Sequence, residues 1–176
     1  MADVEVLEGD EAYHDAEPVP RPLDHRMLRE PIKTLEMRPT VSVARGTSLA
    51  EAIRQMQQHR VGCVMVVDGG RLAGILTERD ILYKVLGTGQ DLGQVPVEAV
   101  MTRDPEALTP EDAIVYAFQK MSVGGFRHVP LVDAQRRPVG LVSVKDVVDW
   151  VVEFFPQHVL NVPPEPGRHP RQPEGG

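Results

Sequence analysis

A chain of 176 residues with 41% hydrophobic and 26% charged residues has an ordinary water-facing balance, and no apolar run approaches the ~18–20 residues of a membrane helix. Its net charge of −7 sits in residues 1–24, where eight acids face the single base Arg21, while the remainder balances at 18 acids and 18 bases; a body with no basic field excludes nucleic acid as the expected partner. The lone Cys63 excludes an internal disulfide, and the absence of a basic start with an apolar segment behind it points to a reducing cytoplasm.

Residues 1–26 are acidic, carry Pro18, Pro20 and Pro22, and show no apolar period, the pattern of a disordered tail. A short strand is expected at 41–43. A helix follows Ser48, with Glu51 at capping-box spacing and Leu49, Ala52, Ile53 and Met56 on one face. Two apolar strands at 63–67 and 72–76 flank Gly69-Gly70, a tight-turn signal. A second helix begins at Thr77 and carries Ile81, Leu82 and Val85.

The same order then returns. A short strand is expected around Ala107 and Leu108. Thr109, Pro110 and Asp112 read as a helix start, with Ala113, Ile114, Ala117, Phe118 and Met121 as its apolar positions. Strands follow at 129–132 and 139–142, and a helix from Ser143 carries Val147, Val148 and Val151. Five prolines in residues 162–176 preclude a helix or central strand there.

The chain is therefore an internal repeat. Gly74-Ile75-Leu76-Thr77-Glu78-Arg79-Asp80 matches Gly140-Leu141-Val142-Ser143-Val144-Lys145-Asp146, and Val64-Met65-Val66-Val67-Asp68 matches Val129-Pro130-Leu131-Val132-Asp133. The division expected is a tail at 1–26, units at 27–90 and 91–155, and a proline-rich tail at 156–176. Near-continuous Val/Leu/Ile strands are those buried on both faces. One small sheet with two helices buries little alone, so the units are expected to share a core.

Two copies of Gly-hydrophobic-x-Thr/Ser-x-x-Asp, each behind its own hairpin, resemble the cystathionine-β-synthase (CBS) domain, here as a stand-alone tandem pair over residues 30–155. The run from Phe126 to Asp133 is particularly close to that pattern. The resemblance implies an α/β fold of two β-α-β-β-α units packed as one pseudo-two-fold module. It implies no catalysis and no required cofactor, but regulation by an adenosine ligand (AMP, ADP, ATP or a related compound) held in clefts between the units. Thr77 and Asp80 would serve one cleft, Ser143 and Asp146 the other, each aspartate accepting from the ribose diol. Arg127 and His128 resemble phosphate-binding positions, Arg79 and Lys145 are further cations, and the backbone around Val61, Gly62 and Cys63 would meet the adenine edge. The helix N-termini suit phosphate. Because Cys63-Val64-Met65 stands where the second unit has His128-Val129-Pro130, the first unit's cleft edge is expected to be apolar and to lack a phosphate partner. Homodimerisation and an unidentified regulated protein are also implied.

Each reading has a plainer counterpart. Thr77 with Asp80, and Ser143 with Asp146, have the spacing of a helix cap, which needs no ligand; a ligand-free interaction scaffold is the alternative function. Cys63 reads as a core residue, and the six histidines lack zinc-ligand spacing. Trp150, Phe154 and Phe155 either pack on their own unit or form a dimer surface.

Overall fold

The computed structural model describes residues 24–36 and 40–155. Both tails read from the sequence fall outside this range, apart from Asp24, His25 and Arg26. Among the described residues no helix is long and apolar enough to cross a membrane.

The first half is built as β1 (Ser42–Ala44), α1 (Leu49–His59), β2 (Cys63–Asp68), β3 (Arg71–Thr77) and α2 (Glu78–Lys84). Its sheet runs β1-β2-β3, extended by β4 (Thr102–Arg103); β1 lies parallel to β2 and the other pairs are antiparallel. Ser48 caps α1 by accepting from the Glu51 N–H at 3.3 Å. The β2–β3 turn uses Gly69 and Gly70, both at positive φ, which a two-residue hairpin favours. Gly74 serves a close approach: a Cβ there would lie 2.3 Å from Met101 Sδ, where the chain crosses towards β4.

The second half contains α3 (Ile114–Ser122), β5 (His128–Val132), β6 (Pro138–Ser143) and α4 (Val144–Val152), with β5 antiparallel to β6. Two expectations need correction. The strand around Ala107 and Leu108 shrinks to one parallel bridge from Leu108 to Leu131. Thr109 does not open the helix. Its N–H and hydroxyl bind the Asp112 carboxylate at 2.6 and 3.0 Å, making a separate turn, and α3 starts one turn later with Ala113 at its cap position.

The reason lies far away in sequence. Pro31 bridges Ala113, the Ile32 N–H donates to Asp112 O (2.8 Å) and the Ile114 N–H to Glu30 O (2.9 Å). The segment before β1 thus satisfies the backbone at the start of α3, so no side-chain cap is needed. The first half mirrors this: Ser48 bridges Pro96, the Val97 N–H donates to Thr47 O (2.8 Å) and the Leu49 N–H to Val95 O (2.8 Å). Each leader segment clasps the opposite half.

The cores follow the clasp. Val97, Val100 and Met101 join Leu49, Ala52, Met56, Val64, Val66 and Leu76 in one cluster; Ile32 and Leu35 join Ile114, Leu131, Val142, Trp150 and Phe154 in the other. Ile32 and Val97 are wholly buried, each worth roughly 1.5–3 kcal/mol against exposure. Successive strand residues face opposite ways, so Met65, between Val64 and Val66, meets Leu72 and Val132 in a third cluster that joins the halves. Trp150 stacks edge-on against Phe118 and Phe154. That settles Trp150 and Phe154 as core, while Phe155 and Val148 stay exposed.

Candidate functional site

The two motifs fold as helix caps. The Thr77 hydroxyl donates to Asp80 Oδ2 (2.6 Å), the Thr77 N–H reaches the same oxygen (3.0 Å), and the Asp80 N–H returns to Thr77 Oγ1 (3.2 Å). Ser143 and Asp146 repeat this at 2.7, 2.7 and 3.3 Å. Both aspartates are buried. The other Asp80 oxygen pairs with Lys84 Nζ at 2.6 Å, and that ammonium also donates to Val100 O. A carboxylate has about four lone-pair directions, so Asp80 can still accept from a ligand hydroxyl on its cleft side.

The helix starts are less open to anions than their sequence suggested. The Glu78 N–H donates to Gly62 O and the Val144 N–H to Arg127 O, both at 3.0 Å. With the Asp80 and Asp146 N–H groups also engaged, two of the first three helix donors are occupied in each motif.

A cleft of about 390 Å³ opens between the halves, a size that suits a small organic ligand. Thr77, Arg79 and Asp80 line one side; Arg127 and His128 from the other half close it, with Gly62 at the edge. This corrects the expectation that the first motif meets an apolar edge: the basic residues of the second half complete its cleft. The Arg79 guanidinium reaches Gly125 O across it at 3.4 Å. Thr102, Asp104, Pro105, Glu106 and Phe126 add wall that the sequence reading missed. Their signal was available, since Pro96 and Val97 repeat Pro31 and Ile32 at the same 65-residue offset that relates Ala117 to Ala52.

Other candidates lie elsewhere. Cys63 is buried, and desolvation, helped by the charge of Glu78, pushes its thiol up to about 12, the behaviour of an inert core cysteine. Val61 lies against Met56 and Ile81, beside a shallower hollow. Lys145 pairs with Asp149 at 2.5 Å. Asp146 borders a small hollow with Asp149 and Trp150. By the repeat, the counterpart of Thr102–Asp104 falls at 37–39, outside the described residues.

His128 sets the electrostatics of one end. Burial holds its imidazole below the ordinary 6.5, Glu78 and Asp146 pull it up, and Arg127 pushes it down. Among the cleft acids, Asp80 pairs with Lys84, Asp104 with Arg136 and Glu106 with Lys120. Among the described residues, the Glu78 side chain has no hydrogen-bond or ion-pair partner. The described residues include no group of three or more His, Cys, Asp or Glu able to hold a metal.

The CBS domain pattern matches this chain twice, at residues 32–87 and 97–153. The chain belongs to the CBS domain family. The CBS domain-containing protein YhcV of Bacillus subtilis is 37% identical over 106 residues, a match covering 60% of this chain and 74% of YhcV. The Arabidopsis thaliana CBS domain-containing protein CBSCBSPB5 is 39% identical over 103 residues, but these are 58% of this chain and only 19% of the plant protein. Among solved structures, a CBS-domain protein from Agrobacterium tumefaciens superimposes with a TM-score of 0.59 at 33% identity, covering 65% of this chain and 90% of that one. The CBS domain pair of protein MJ0100, solved with 5′-methylthioadenosine and S-adenosyl-L-methionine, does so with 0.62 at 28% identity, covering 69% and 94%. These CBS pairs share the mixed α/β architecture described above.

Proposed function

We propose that this CBS pair is a regulatory module that binds an adenosine-type nucleotide between its units and performs no chemistry of its own. The observation that carries this reading is the composite cleft, in which Thr77 and Asp80 of one unit face Arg127 and His128 of the other. A ligand there touches both units, so it favours the arrangement that fits it; differential affinity of that kind is what a partner protein can read. The complex of MJ0100 with two adenosine compounds supports the ligand class. In this reading Asp80 accepts from the ribose diol, Arg79 and Arg127 frame the rest of the ligand, and Gly62 borders the base. Exposed Leu82, Tyr83 and Leu86 around α2, with Val148 on α4, offer an apolar surface for a homodimer.

A ligand-free scaffold is the second reading, and one observation favours it: both capping boxes are complete without any ligand. A thermal-shift titration with adenosine, 5′-methylthioadenosine, S-adenosylmethionine, AMP, ADP and ATP separates the two. A ligand at 100 times its dissociation constant adds about 2.7 kcal/mol, a rise of several degrees in Tm. The sensor reading expects that rise in the wild type and its loss in a folded Asp80→Asn variant. No rise with any compound at millimolar concentration leaves the scaffold.

A further inference from the structure

We infer that the cleft carrying Thr77 and Asp80 is built for an adenosine compound without a phosphate, and that Glu78 is the residue that rejects phosphorylated ones. The inference rests on the adenosine-binding reading and adds the ligand class. Three observations converge on the end of the cleft where Arg127 and His128 stand.

First, Glu78 faces into that end. A Cβ built at Gly62 would lie 3.3 Å from the Glu78 carboxyl carbon and 3.2 Å from His128 Cε1, so carboxylate and imidazole flank the same point. A phosphate drawn to His128 would meet this carboxylate within a few ångströms, where like charges repel strongly. Among the described residues Glu78 has no ion-pair partner, whereas Asp80, Asp104 and Glu106 each have a cation.

Second, the backbone donors that would cradle a phosphate are taken. The Glu78 N–H is bound to Gly62 O and the Asp80 N–H to Thr77 Oγ1, which leaves one donor in the first three residues of α2. Third, among the described residues none of the cleft cations is ion-paired with Glu78. His128 is held towards its neutral form by burial, Arg79 is turned to Gly125 O, and the Arg127 side chain is exposed, where solvent and salt screen its charge. A carboxylate beside an imidazole held towards neutrality suits a 5′ substituent that is uncharged or cationic, such as a thioether or a sulfonium. The second unit carries Val144 at the position of Glu78, so the discrimination belongs to this cleft alone.

The test is a titration of the full chain with adenosine, 5′-methylthioadenosine, AMP and ATP, followed through the methyl resonances of Ile75, which lines this cleft. The wild type should bind 5′-methylthioadenosine at least tenfold tighter than AMP. In Glu78→Gln the ratio of the AMP to the 5′-methylthioadenosine dissociation constant should fall about tenfold, and Glu78→Lys should lower it further. AMP or ATP binding tighter than 5′-methylthioadenosine in the wild type, or a ratio that Glu78→Gln leaves unmoved, overturns the inference while leaving the adenosine-binding reading intact. If none of the four compounds moves Ile75, both fall together. Glu78 is exposed at the first turn of α2, so both variants should fold, and their unliganded melting temperatures check it.

Discussion

Gly62 and His128 come from different CBS units and approach closely: a Cβ at Gly62 would lie a tight 3.2 Å from the imidazole Cε1 and 3.3 Å from Nε2. His128 is partly withdrawn from water, and that burial is the main cause holding its imidazole below 6.5. Glu78, Asp146 and Arg127 are the charges that act on it.

The pH dependence follows from that depression. The unfolded chain takes up the His128 proton near 6.5, whereas the folded protein resists it until lower pH. The unfolded state then binds more protons, so stability rises with pH across this window. His128 contributes fully above 6.5, and its contribution is lost as pH falls through 6.5 towards the depressed folded value. Urea midpoints measured from about pH 7.5 down to about pH 5.5 should decline in the wild type and decline less in His128→Gln. The lowered carboxylates, Asp24, Glu51, Glu98 and Asp133, act only below about 4.5 and do not blur this window. Equal slopes in both proteins would remove His128 as the source.

Ile32→Ala should destabilise the second CBS unit even though Ile32 precedes the first. Its side chain is wholly buried with Ile114, Leu131 and Trp150. Removing it leaves a cavity that costs about 2–5 kcal/mol. Trp150, the single tryptophan, reports on that core directly, so its fluorescence should show a lowered unfolding midpoint. An unchanged midpoint would mean that the leader segment does not clasp the second unit in solution.

Thr77→Ala measures what the capping box contributes to stability. It removes the hydroxyl that binds Asp80 Oδ2 and accepts from the Asp80 N–H, which should cost about 0.5–2 kcal/mol. Thr77→Ser keeps both bonds and should restore the stability. If Thr77→Ala and Thr77→Ser unfold at the same denaturant concentration as wild type, the capping box contributes nothing measurable.

Much of this architecture can be read from the repeat. The hairpins at Gly69-Gly70 and before Val139, and the helix starts at Thr77 and Ser143, are local patterns, and local patterns survive in sequence. Thr109 and Pro110 misled because their segment has good capping chemistry, yet the α3 backbone is satisfied by Glu30 and Pro31, which no local rule connects to it. The cleft was half legible. Thr77, Asp80, Arg127 and His128 stand out by type, but their meeting across the units is a product of packing. Glu78 was hidden for the opposite reason: an acid in the first turn of a helix is so common that nothing marks it until its neighbours are seen.

The crossing of the two leader segments also governs how this protein can be cut and joined. A fragment running from Pro31 to the end of α2 keeps Ile32, which plugs the other core, but loses the Val97 plug of its own. One holding α3 to α4 loses Ile32 in turn. Neither half is a portable piece, and recombination between them would strand a hydrophobic anchor on the wrong side of the junction. The smallest unit that can be duplicated, fused or transplanted is the interlocked pair. A lone copy could complete itself only by trading its leader with a twin.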